Sequence, residues 1–112
     1  MDRQRYTFTS EFQTKAMLAI RPNCENCNKN LPHNSTEAMI CTYECTFCQE
    51  CAEKLLKSVC PNCGGGFTPR PIRPLAQLMK HPASDMRVLK PVNWEKHGQL
   101  LIKYADILPE KR

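Results

Sequence analysis

The sequence predicts a small α+β fold held together by metal ions, with helices flanking a cysteine-rich centre. Three observations point there: eight cysteines in four close pairs, few large apolar residues among them, and helix-forming segments on either side. A region of about forty residues is below the size at which apolar burial alone usually holds a fold, so metal or disulfides have to contribute. Its large apolar residues are Leu31, Met39, Ile40, Phe47, Leu55, Leu56 and Val59.

The opening stretch MDRQRYTFTSEFQTK is polar and does not read as a secretory leader, and no later apolar run reaches the length of a membrane span. A cytoplasmic chain without membrane contact is expected, in which thiols stay reduced. This weighs against a disulfide scaffold.

The cysteines follow C-x2-C-x13-C-x3-C-x2-C-x2-C-x8-C-x2-C. A C-x2-C pair lets two sulfurs reach one metal from a single tight turn, at the roughly 2.3 Å of a zinc–thiolate bond. Cys24/Cys27, Cys48/Cys51 and Cys60/Cys63 are such pairs, and Cys41/Cys45 is the same device with one more residue. Four pairs fill two four-sulfur sites with no thiol left over, so two zinc ions per chain are expected. Iron–sulfur ligation is the rival reading, since cysteine-only sites also suit clusters. A thioredoxin-type redox pair fits less well, because such motifs come singly beside a βαβ pattern.

Two pairings satisfy this spacing. A sequential one joins Cys24, Cys27, Cys41 and Cys45, then Cys48, Cys51, Cys60 and Cys63. A cross-braced one joins Cys24, Cys27, Cys48 and Cys51 in one site and Cys41, Cys45, Cys60 and Cys63 in the other. The intervening AEKLLKSV is made of good helix formers, with Leu55 and Leu56 available to face inward. In the cross-braced arrangement that helix is a strut between the sites. Cys41, Cys45, Phe47, Cys48, Cys51, Cys60, Pro61 and Cys63 form a run that resembles the RING finger, whose ligands interleave. The resemblance implies cross-bracing and a RING-like domain over residues 21–66.

A longer resemblance covers roughly Met17 to Pro91. RPNCENCNKNLPHNSTEAMIC, ECTFCQECAE, VCPNCGG, RPIRP and HPAS…RVLKP are similar to a small bacterial cysteine-rich family known as domain of unknown function twelve seventy-two. It implies a RING-like zinc fold and no established activity. It also leaves residues 1–16 as an extension.

Within residues 1–20 one helix is expected. Ser10 and Gln13 form a capping box, with Phe12, Ala16 and Ala19 on one face. This stretch resembles the first helix of transposase helix-turn-helix domains, although the helices that would complete a DNA-reading motif do not follow. Packing on the zinc core is the plainer expectation.

Residues 67–92 read as a proline-rich basic linker, with Pro74 opening a short helix in PLAQLMK. Residues 93–108 read as an amphipathic helix capped by Asn93 and stopped by Pro109. Trp94, His97, Leu101, Tyr104 and Leu108 recur at spacings of three and four, with Leu100 and Ile107 widening the seam. That face either docks on the chain's own core or pairs two copies through Trp94, Leu101, Tyr104 and Leu108. His33, His81 and His97 are surface or packing residues, since eight cysteines already fill two sites.

The formal charge is +5. Eight thiolates subtract eight and two divalent ions restore four, which leaves about +1. Residues 24–63 carry three basic and five acidic side chains, whereas residues 64–112 carry nine basic and four acidic ones. Any nucleic-acid contact is therefore expected on the tail, through Arg70, Arg73, Lys80, Arg87 and Lys90.

Ligase-type RINGs place an apolar residue in the first knuckle, an aromatic before the seventh ligand and often an arginine after the eighth. Asn26, AEKLLKSV and Gly64 stand there instead, with Pro61 alone retained. Four thiolates also close a zinc shell against substrate. No Ser/His/Asp set or paired carboxylates stand out, and the glycines at 64–66 read as a turn. A non-catalytic zinc module for protein–protein contact is the favoured reading. A nucleic-acid adaptor and a ubiquitin-ligase-like accessory are the alternatives.

Overall fold

Ala38-Met39-Ile40 is a short apolar run ending at a cysteine, and all three side chains are buried. In the computed structural model, which describes residues 17–112, this run is the central strand β1 (Ala38–Ile40). It pairs antiparallel with β2 (Thr46–Cys48), in the register Ala38↔Cys48, Met39↔Phe47 and Ile40↔Thr46. The connecting loop closes with the Cys41 N–H donating to Cys45 O at 3.2 Å and the Glu44 N–H to Cys41 O at 3.0 Å. On the other side, Ile40 faces Thr68 and Met39 faces Pro69 of β3 (Thr68–Pro69). A proline is tolerated there because β3 is an edge. The sheet order is β2-β1-β3.

After β2 the chain makes one wide helical turn, α1 (Cys51–Leu55), whose Leu56 N–H reaches back to Cys51 O at 2.8 Å. Lys57 and Ser58 then adopt φ of +52° and +62°. The eight-residue helix expected over AEKLLKSV is thus reduced to a five-residue turn. The reason is geometric: each helical residue adds about 1.5 Å of rise, and a straight continuation would carry Cys60 away from Cys41 and Cys45. With Cys51 and Ala52 already facing inward, so short an element leaves an inner position for one of the two leucines. Leu56 takes it and is fully buried, whereas Leu55 is 48% exposed. Leu31, Met39, Ile40, Phe47, Val59 and Val92 complete the apolar core with the cysteines. Phe67 meets Phe47 edge-on, with ring centroids 5.5 Å apart.

The stretch expected as a linker is bound to the core along much of its length. Arg70 is buried, and its guanidinium donates to the carbonyls of Arg21, Leu31 and Pro32 at 2.7, 3.2 and 2.9 Å. Pro74 opens the four-residue α2 (Leu75–Leu78). Residues 84–92 then run extended along residues 19–26. The N–H groups of Ser84, Val88, Lys90 and Val92 donate to Ala19 O, Asn23 Oδ1, Glu25 O and Asn26 Oδ1, at 2.8, 3.2, 2.7 and 3.1 Å. Residues 88, 90 and 92 donate alternately, as an extended chain does. This segment is a strap.

Asn93 caps α3 (Trp94–Tyr104) by accepting the Lys96 N–H at 3.1 Å. The helix ends before the expected 108, because the residue preceding a proline is pushed toward extended backbone; Leu108 has ψ of 144°. Arg112 draws the end across the core, donating to Ser58 O and Gly64 O at 3.0 and 3.1 Å. Much of the seam face docks internally. His97 is buried with Nε2 3.0 Å from Val59 O, and Tyr104 lies on Gly64. Trp94, 49% exposed, and Leu108, 62% exposed, remain at the surface.

The capping box at Ser10 and Gln13 lies outside the described residues. Met17–Ile20, the end of the helix expected there, is not helical: Ala19 and Ile20 instead give their N–H groups to the two oxygens of Glu44, both at 2.8 Å. Among the described residues no helix is long and apolar enough to cross a membrane.

Candidate metal centres

Two tight knuckles present cysteines in the same way. In the first, Asn28 N–H donates to Cys24 O at 3.0 Å and Cys24 N–H to Lys29 O at 2.9 Å, with Asn28 at φ +68°. In the second, Gly64 N–H donates to Cys60 O and Cys60 N–H to Gly65 O, both at 2.9 Å, with Gly64 at φ +78°. Asparagine and glycine are among the residues that most readily accept this left-handed backbone. The β1–β2 hairpin supplies Cys41 and Cys45 from its turn, and Cys48 and Cys51 from the end of β2 and the start of α1.

These elements bring the sulfurs of Cys24, Cys27, Cys48 and Cys51 within 4.8 Å of one another. Those of Cys41, Cys45 and Cys60 form a second group on the same criterion. The sequence order therefore alternates between groups. Cys63 stands outside the triad; it is exposed, and its sulfur accepts the Gly65 N–H at 3.4 Å.

All eight cysteines are free thiols. The Cys27 and Cys48 sulfurs are 3.8 Å apart, far beyond the roughly 2.05 Å of a disulfide. A tetrahedral ion with four bonds of about 2.3 Å separates its ligands by about 3.8 Å. The spacing and the donor set both fit a metal, and each group can bind one ion.

Hydrogen bonds and burial shift several of these thiols in opposite directions. Bonds from the Cys45 and Cys60 side chains hold Cys41 down to about 3 against the opposing effect of burial. The same contact with Cys41, then that with Cys45, pushes Cys60 up, and burial adds to it. In the other group burial raises Cys48 and Cys51. Burial opposes the shift at Cys24 too, but the N–H groups of Cys27, Cys48 and Asn26 outweigh it and lower that thiol. Each group thus contains a cysteine whose thiol is lowered, Cys24 in one and Cys41 in the other, and the thiolate is the form that binds metal.

Several residues that hold this arrangement were given no such role from the sequence, Asn26 having been noted there only as a departure from the ligase pattern. Glu25 is buried, pairs with Arg21 at 2.7 Å and accepts the Thr46 N–H at 2.8 Å, tying the first knuckle to β2. Asn26 Nδ2 donates to Cys51 Sγ at 3.4 Å, and Asn62 Nδ2 to Cys45 Sγ at 3.3 Å. The shared pattern C-E-N-C and C-P-N-C was the available signal. The tail arginines are also engaged internally. Arg73 donates to Leu18 O and His81 O, Arg87 to Asn28, and Lys90 Nζ to Asn62 Oδ1.

The family model described as a protein of unknown function (DUF1272) matches residues 17–73, a span that contains every cysteine, the sheet and the buried Arg70. An uncharacterized protein of Rhizobium meliloti (strain 1021) is 60% identical over 75 residues, covering 67% of this chain and 89% of its own. The chain belongs to the DUF1272 family. No solved structure matches it.

Proposed function

We propose that the chain is a non-catalytic zinc module that presents a rigid surface to another protein. One ion is held by Cys24, Cys27, Cys48 and Cys51, the other by Cys41, Cys45, Cys60 and Cys63, in a RING-like cross-brace. The carrying observation is the alternation of the two sulfur groups along the chain. Zinc in such shells supplies rigidity, because thiolates on all four positions leave no site for a substrate. Cys63 is the fourth ligand of the second site by virtue of its place in the knuckle.

Internal use of Arg70, Arg73, Arg87 and Lys90 supports a protein partner over nucleic acid. The strap supports a non-ligase role, since Val92 occupies the first-knuckle Asn26. Purification of the tagged full chain from its native host, with and without nuclease, tests the reading. Two zinc atoms per chain and a protein partner that survives nuclease are expected. Iron, about one metal per chain, or loss of the partner with nuclease would overturn it.

A further inference from the structure

Asn26 and Asn62 occupy the third position of their C-x-N-C knuckles, and each faces two ways. Toward the metal centres, Asn26 Nδ2 reaches Cys51 Sγ at 3.4 Å and Asn62 Nδ2 reaches Cys45 Sγ at 3.3 Å. In both cases the sulfur belongs to the knuckle's own cluster but lies on the hairpin segment opposite. Toward the strap, Asn26 Oδ1 accepts the Val92 N–H and Asn62 Oδ1 accepts Lys90 Nζ, both at 3.1 Å.

The strap dictates which way each amide points. A backbone N–H and an ammonium can only donate, so each must meet a carboxamide oxygen. The planar amide then turns its nitrogen to the sulfur. Two strap residues, one position apart from adjacent, thus orient an N–H donor at each of two clusters. We propose that Asn26 and Asn62 are matched positioning residues for the two metal sites, and that residues 90–92 couple both sites to the C-terminal half of the chain. An N–H donated to a thiolate stabilises its charged, metal-binding form, and loss of such outer contacts typically costs tenfold or more in metal affinity. Undocking the strap frees both amides together.

The inference rests on the zinc reading above, and the experiment separates the two. Asn26→Asp and Asn62→Asp keep the oxygen that meets the strap and replace the donor with an acceptor. Metal content is measured first on the full chain. Transfer of each ion to a chromogenic chelator is then timed, and NMR of the cadmium-substituted protein assigns each phase to a site. Asn26→Asp is expected to speed loss from the Cys51 site by about tenfold while sparing the other. Asn62→Asp should do the reverse at the Cys45 site. Lys90→Ala, an exposed change, should accelerate only the Cys45 site, and Lys90→Arg should restore it. Unchanged release in the asparagine variants, or equal acceleration of both ions by each, overturns the inference and leaves the zinc reading standing. Parent protein without two ions overturns the zinc reading itself. Should an Asp variant fail to fold, unchanged release in Lys90→Ala still overturns the coupling.

Discussion

Tyr104 lies against Gly64 so closely that a Cβ on Gly64 would come within 2.8 Å of its Cε2. The contact seats the C-terminal half of α3 on the second knuckle, where Gly64 also holds φ of +78°. Gly64→Ala meets both obstacles, a clash and a backbone conformation that side chains resist. We expect a loss of about 1–3 kcal/mol. Urea unfolding of the metal-loaded protein, followed through the sole tryptophan, Trp94, checks this, and an unchanged midpoint refutes it.

Arg70 offers a second test. Its side chain caps three carbonyls from a segment some forty residues away in sequence. Arg70→Ala leaves these acceptors without a charged donor and should cost about 1.5–3 kcal/mol. Arg70→Lys should rescue little, because an ammonium is a point donor and cannot span what the planar fork reaches. Full rescue by lysine would show that charge alone matters.

Removal of single cysteines reads the grouping. Cys48→Ser should disturb the Cys24/Cys27 knuckle, and Cys60→Ser should disturb Cys41 and Cys45, each lowering the metal content by about one ion. Amide chemical-shift changes in the metal-loaded variants locate the damage. Perturbation of Cys41 by Cys48→Ser, with Cys24 unmoved, would contradict the observed sulfur groups.

Chelation should unfold the central region. A strong chelator at neutral pH is expected to abolish dispersed amide signals from residues 24–63, because structural zinc free energy is folding free energy. The docking of His97 and Tyr104 should be lost with it. A cooperative thermal transition that persists after verified metal removal would refute the metal-held core.

Acidity acts in one direction. In the metal-free fold Cys41 is lowered from 9.0 to about 3, so its contribution there is complete above 9 and is lost as pH falls toward 3. In the same metal-free fold Cys60 is raised, so its contribution there is complete below 9 and is lost only at higher pH. Proton competition for the thiolates adds to the acid-side loss. Dialysis followed by elemental analysis should show metal retained at neutral and mildly alkaline pH and progressively lost in acid, because protons compete with the ion for the thiolates. Metal lost on raising the pH through that range would refute the assignment.

The cysteine pairs were legible because a C-x2-C knuckle is a local object, and so was the Asn93 cap, which acts three residues away. The grouping of pairs was not decided by spacing alone, since two arrangements satisfied it. Residues 84–92 carried no periodicity, and their partners lie some sixty-five residues upstream, so a binding strap read as a linker. Arg70 read as one of the tail charges open to nucleic acid for the same reason, its partners lying about forty residues upstream. At Leu55 and Leu56, helix propensity was overridden by the need to bring Cys60 back to the hairpin, and one leucine was left outside.

The alternation of sulfur groups also bears on how the chain is made. Synthesis releases Cys24, Cys27, Cys41 and Cys45 before any of their later partners, and these four thiols belong to two different groups. An ion captured at that moment is held by a set that the finished protein does not use. It has to trade two ligands once Cys48 and Cys51 emerge, while Cys41 and Cys45 wait for Cys60. The order of birth and the order of assembly disagree, so an ion that binds early has to remain exchangeable until the last knuckle has left the ribosome.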